Sequence, residues 1–176
     1  CGLHAQVMSS AELSLWARTA GLARDAVEAA LWQQRALVKL WAMRGTLHLL
    51  PAAELGLWLA GIGTFSGHGS THAEMATLTA AVGRALDGRI LTREELALEV
   101  VALTGNPELG EWVRFSWGSY LKATAYRGQL CFADSAGGRI RFTSPASWLP
   151  GPIARPDPAE ALAAITRRFL AAYAPA

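Results

Sequence analysis

The sequence is short of charge, of cysteine and of long apolar runs, and each shortage removes a class of protein. Only 17% of its 176 residues are charged, and 16 Lys+Arg against 14 Asp+Glu leave a formal net charge of +2. That balance excludes a polybasic tail or a histone-like binder, though not a protein whose basic residues gather on one face. The two cysteines, Cys1 and Cys131, lie far apart and have no partner at metal-ligand spacing, so both are expected as reduced thiols rather than a disulfide scaffold. No apolar run reaches the roughly 18 residues of a membrane span, and no basic-then-apolar segment opens the chain. A cytoplasmic protein with no membrane partner is the expectation. What is present is apolar surface: 52% hydrophobic residues supply a core, and the length suits one domain or two small ones. The chain opens at Cys1 without Met and stops at Ala176, so it is read as part of something longer.

Local signals place the elements. Ser9-Ser10-Ala11-Glu12 has the form of a capping box before Leu13, Trp16, Ala17 and Ala20, which predicts a helix over 10–20. Asp25-Ala26-Val27-Glu28 repeats the signal for a second helix ending near Gln33. Leu37 to Met43 is apolar almost throughout, so periodicity leaves helix and strand open over 36–46, while Thr46 to Leu50 alternates like a strand. Pro51 suits a helix start. Residues 61–72 are a Gly/Ser/Thr-rich loop, 73–86 an amphipathic helix, and Thr92-Arg93-Glu94-Glu95 a third capping box before Leu96, Val100 and Leu103. A helix over 111–126 follows, then a hairpin over 129–143 turning at 134–138, a Pro-rich crossing that touches down at Trp148-Leu149, and a last helix over 159–173.

Helix, helix and basic hairpin in that order is the winged-helix plan. The predicted fold is mainly α with small β-hairpins (α+β), built as tandem winged-helix (helix-turn-helix) domains. The expected limits are 1–60 for a first unit, 61–150 for a second with its wing at 129–143, and 151–176 for a linker and the start of a third. On the wing, Arg139 and Arg141 are two apart, so on a strand they point the same way, and Lys122 lies on the preceding helix. Together they form a candidate phosphate-contacting patch; a solvated polar strand face is the plainer reading. His68 and His72 resemble a metal pair but sit in the Gly-rich loop with no third ligand nearby, so no metal is expected. Neither a dinucleotide fingerprint, a P-loop lysine nor a nucleophile elbow is present. Trp16, Trp32, Trp41 and Trp117 fall on apolar helical faces and are read as core.

Three stretches carry a resemblance. Gly2-Leu3-His4-Ala5-Gln6, Leu40-Trp41-Ala42-Met43-Arg44-Gly45-Thr46-Leu47-His48-Leu49, and Gly128-Gln129-Leu130-Cys131-Phe132 with Phe142 and Trp148-Leu149-Pro150 together resemble the AlkZ-type DNA glycosylases. Those are tandem winged-helix proteins with a concave DNA-binding surface, and the match covers the first half or slightly more of such a protein. The family's catalytic signature is Gln-hydrophobic-Gln after Gly-Leu. Here it reads His4-Ala5-Gln6, which departs at the first position and resembles the HxQ subgroup tied to self-resistance against bulky DNA-alkylating antibiotics.

The resemblance implies a monofunctional DNA glycosylase that removes bulky N7-alkylguanine adducts, with His4 and Gln6 catalytic and no cofactor. The implied partner is double-stranded DNA carrying alkylated guanine, met by a monomer in the cytoplasm at the nucleoid. Arg44, Thr46 and His48 are candidates to line the DNA surface near the motif, with Arg44 equally readable as a turn residue. The chemistry suits the pair. An N7-alkylated guanine is cationic, so its glycosidic bond is primed to break, and the remaining work is to place a water and stabilise charge on the sugar. Glutamine orients a water without titrating, and an imidazole with an ordinary pKa near 6.5 can take its proton. One intervening residue puts both side chains on one side of an extended chain, whereas in a helix they diverge by about 200°. The plainer alternative has His4 and Gln6 capping or lining a helix end. Two other functions remain open at this level: a non-catalytic winged-helix DNA-binding protein or transcription regulator, and a protein that sequesters free drug in an aromatic groove.

Overall fold

The computed structural model describes residues 2–63, 72–115 and 118–173, with His72 by its backbone alone. In chain order the elements are β1 (Leu3–His4), α1 (Met8–Trp16), α2 (Ala26–Glu28) running into a wide π-type turn at Ala29–Gln33, β2 (Leu37–Trp41), β3 (Leu47–Pro51) and α3 (Leu55–Ile62). There follow α4 (His72–Leu86), β4 (Ile90–Thr92), α5 (Arg93–Thr104), α6 (Pro107–Phe115), α7 (Ser119–Tyr126), β5 (Cys131–Ala136), β6 (Arg139–Thr143), α8 (Pro145–Trp148) and α9 (Pro158–Tyr173). The result is an α+β fold of helices with two small antiparallel sheets, as expected.

The chain divides into two units, one of Cys1–Thr64 with Ile153–Ala176 and one of Phe65–Pro152. In the first, the sheet has the order β1-β3-β2. The ambiguous run after Leu37 is strand β2, paired with β3 from Leu37↔Pro51 to Trp41↔Leu47. Trp41 is therefore buried on a strand rather than on a helical face. One face of this sheet, through Ala5 and Leu49, closes over Ala11, Val27 and Leu31 of the helices. Helix α9 packs along α3: a side chain on Gly61 would run into Ile165, and one on Gly56 into the Ala154 carbonyl. Arg168 adds an ion pair to Glu54. By their contacts, residues Ile153–Ala176 fall in the same unit as β1.

In the second unit the sheet has the order β4-β6-β5, so both sheets share one connectivity: a short strand, helices, then a hairpin whose second strand pairs with the first. Phe132 and Phe142 meet edge to face at 5.1 Å across that hairpin. Cys131, on β5, is a buried free thiol, and burial pushes its pKa well above the usual thiol range.

Several local expectations are corrected. The first helix is Met8–Trp16 rather than 10–20, its N-cap is Val7 with no side-chain cap bond, and Leu13 is 61% exposed while Ala11 faces the core. The chain turns into the helix directly after Gln6, so Ser9 falls within the first turn and cannot cap it. Asp25 likewise makes no cap bond, because its backbone is already helical at φ −95°, ψ −1°. Over 111–126 the described residues form two helices, α6 ending at Phe115 and α7 starting at Ser119 after Gly118 at φ +80°, a left-handed conformation that glycine adopts without strain. Strand β4, three residues long, has no expectation behind it. The predicted loop at 61–72, His68 included, and Trp117 lie largely outside the described residues, as does the His72 side chain.

Candidate active site on the edge strand of the first sheet

Strand β1 is the edge of its sheet, paired to β3 at Leu3↔Leu49 and His4↔His48. The Ala5 N–H continues the pairing by donating to the Leu47 carbonyl at 2.7 Å. Ala5 is fully buried in the core, and its neighbours His4 and Gln6 are both exposed. Exposure therefore alternates about Ala5, with His4 at the end of the strand and Gln6 in the bend that leads into α1. The next rung departs from a ladder: the Leu47 N–H donates to Gln6 Oε1 at 3.3 Å. An N–H has only a proton to offer, so the oxygen of the carboxamide must face Leu47, and the Nε2 amide is the end left for a ligand.

The β2–β3 hairpin forms the wall beside this pair. Its turn, Met43–Gly45, passes through the left-handed region at Arg44 (φ +57°) and Gly45 (φ +69°). Arg44 is exposed there and forms the bend of the turn. Thr46 is half-buried; its hydroxyl donates to the Met43 carbonyl at 3.0 Å, closing the turn. The Thr46 carbonyl accepts the Ala42 N–H at 2.9 Å and lies 3.0 Å from His48 Nδ1. A carbonyl can only accept, so neutral His48 carries its proton on Nδ1 and keeps Nε2 as an acceptor.

His48 itself is only 6% exposed, and its ring stands edge-on to His4, with centroids 5.6 Å apart and planes at 83°. Burial holds His48 below the ordinary imidazole range; the Thr46 hydrogen bond opposes this, and the charges of His4 and Arg44 add to it. His48, expected on the DNA-lining surface, is buried beside His4, its partner on the same face of the sheet. Burial of His48 depends on which strands flank it, and nothing in its own sequence neighbourhood signals that.

His4, Gln6, Arg44, Thr46 and His48 are brought together in one unit, whereas Lys122, Arg139 and Arg141 lie in the other. There Arg139 is exposed on β6, but Arg141 is half-buried and clasps Asp134, donating through Nε to its carbonyl and through Nη2 to its carboxylate, each at 2.8 Å. An irregularity in the β5–β6 register separates the rungs of these two arginines. Lys122 is half-buried on α7. Among the described residues no group of three His, Cys, Asp or Glu side chains could hold a metal. No helix among them is long and apolar enough to cross a membrane.

What the edge strand offers chemically is an exposed imidazole acceptor beside an oriented amide donor, open enough to meet a large ligand. The profile of the AlkZ-like family, described as DNA glycosylase AlkZ-like, matches residues 1–176. The chain is 39% identical over 186 residues to an interstrand DNA cross-link repair glycosylase of Streptomyces sahachiroi, covering 100% of this chain and 50% of that protein. The solved structure of Streptomyces sahachiroi DNA glycosylase AlkZ is similar with a TM-score of 0.88 at 40% identity, again over 100% of this chain and 50% of that one. The chain spans about half the length of these relatives. On the strength of the whole-length family match, it belongs to the AlkZ-like DNA glycosylase family.

Proposed function

We propose that the protein is a monofunctional DNA glycosylase that hydrolyses the N-glycosidic bond of bulky N7-alkylguanine adducts in double-stranded DNA, and that the two units are winged-helix modules that hold the duplex. The observation that carries this reading is the edge strand and the bend after it: His4 and Gln6 are both exposed, with Ala5 buried between them.

In this reading Gln6 Nε2 donates to the ligand side while its oxygen stays on Leu47, and His4 accepts the proton of the attacking water. The bond from N9 to the anomeric carbon breaks with its electron pair going to the base, which leaves neutral because the N7 cation is discharged. The water oxygen bonds to the anomeric carbon, and its released proton resides on His4 until solvent takes it. No strong acid is required, because the leaving group is already activated. Arg44, exposed at the turn beside the pair, and Arg139 on the second hairpin supply phosphate contacts, with Lys122 a lesser one and Arg141 partly committed to Asp134. An open edge strand suits a bulky group better than a snug base-flipping pocket does.

The test is incubation of the protein with duplexes carrying a defined N7-guanine monoadduct, an interstrand cross-link, or no lesion, scoring released base and abasic sites. Release from lesion-bearing DNA alone is expected. Tight binding of a preferred sequence with no release from any substrate would support a regulator, and affinity for the free adducting compound without DNA would support a sequestering protein.

A further inference from the structure

The exposed pair leaves a buried histidine unexplained. We propose that His48 is a positioning residue for His4: locked to the Thr46 carbonyl through Nδ1, it holds the His4 imidazole from the side and gives it a neutral neighbour when the water's proton arrives. The inference rests on the glycosylase reading above.

The geometry carries it in steps. The Thr46 carbonyl is fixed by the hairpin through the Ala42 N–H at 2.9 Å, and it in turn fixes the plane and tautomer of His48 at 3.0 Å. His48 stands directly across the ladder from His4, with the rings in an edge-on contact. His4 belongs to a two-residue edge strand and is open to solvent on its outer side, so this contact is its support from within the sheet. Edge-on aromatic pairs restrict ring orientation as well as burying area. A misplacement of about 1 Å in a group that must meet water can cost about 100-fold in rate, so a fixed neighbour beside an exposed base has kinetic consequence.

The same contact bears on charge. Two imidazoles this close cannot both hold a proton cheaply. The charged groups facing His48 are His4 from β1 and Arg44 from the turn; Leu40, its partner on β2, is apolar. Burial first, then His4 and Arg44, hold His48 below the ordinary imidazole range against the Thr46 bond, so a proton taken in the reaction is disfavoured on His48.

The test is a double-mutant cycle on single-turnover base release from N7-guanine-adducted duplex, combining His48→Phe and His48→Asn with His4→Ala. His48→Phe keeps a ring but loses the Thr46 bond; His48→Asn keeps a donor for Thr46 but loses the ring. Each is expected to slow release by about tenfold with His4 present and by less than about twofold with His4 absent, with duplex affinity unchanged. In the ring-proton NMR titration, His4→Ala is expected to raise the His48 midpoint, because a neighbouring positive charge is removed. Equal slowing with and without His4, or an unmoved His48 midpoint, would overturn the proposal. Absence of release by the unmodified protein on every lesion would instead overturn the glycosylase reading, and the two failures are thereby distinct.

Discussion

The two sheets have the same strand order, yet the residues that lead from the first strand into the next helix do different work in each. In the second unit, Thr92 ends β4 and caps α5 in a full box: its hydroxyl accepts the Glu95 N–H at 3.3 Å, and Glu95 Oε2 accepts the Thr92 N–H at 2.7 Å. Glu95 is held below the usual carboxylate range, first by the bonds its Oε2 accepts from the Thr92 N–H and, at 2.8 Å, the Thr92 hydroxyl, and then by Arg139 and Arg141. In the first unit the corresponding stretch is His4-Ala5-Gln6-Val7. Its helix starts on Val7 with no side-chain cap, while the nearby polar groups face outward. A local rule kept in one unit and left unmet in the other marks where sequence is used for something besides stability.

The hairpin tips repeat the contrast. The second turns on Gly137 (φ +57°) and Gly138 (φ +74°), the residues a two-residue hairpin demands. The first places Arg44 in the same left-handed region at φ +57°, where a side chain costs about 1–2 kcal/mol. A strained cation beside the candidate pair agrees with a role in contacting DNA.

The cap comparison breaks most sharply under mutation. Thr92→Ala is expected to cost about 1–2 kcal/mol in chemical denaturation, and Ser9→Ala, at a signal equally visible in the sequence, to change stability by less than about 0.5 kcal/mol. A comparable loss at both positions would remove the distinction. Exchange at the tips sharpens it: Gly138→Arg is expected to destabilise by about 1 kcal/mol, whereas Arg44→Gly stabilises by less than about 1 kcal/mol while weakening duplex binding and flattening its salt dependence.

The smallest effect concerns pH. Because His48 binds its proton less readily in the folded chain than at the ordinary 6.5, the unfolded chain takes up the proton first on acidification. Its contribution is therefore unimpaired above that value and erodes as pH falls below it. Thermal melts at about pH 7.5 and pH 5.5 should show a loss that is shallower in His48→Phe; an unchanged slope would assign the loss to other groups.

What was legible in the sequence shares one property: the partners lie close along the chain. Thr92 and Glu95 are three apart, the glycine pair defines its own turn, and the alternation of His4 and Gln6 about Ala5 needs only an extended backbone. What was illegible depended on distant strands. The Ser9 signal matches the Thr92 signal by composition, but the chain's exit from β1 puts the helix start at Val7. The run from Leu37 could not choose between helix and strand without the β3 partner that Leu47 to Pro51 provides. His48 looked like a surface residue because its burial is imposed by its place in the sheet and by the hairpin, and the Leu47 amide that orients Gln6 carries no side-chain signature at all. The split between α6 and α7 at Gly118 shows the limit from the other side, since Val113 and Leu121 keep helical spacing across the break.

The central claim is that the uncapped edge strand is an active site. Its most direct test is single-turnover base release from N7-guanine-adducted duplex by the unmodified protein and by the His4→Ala/Gln6→Ala double variant, with duplex affinity measured on the same preparations. The account predicts a fall in release of at least about 100-fold with affinity kept within about twofold; release by the double variant at the unmodified rate would contradict it.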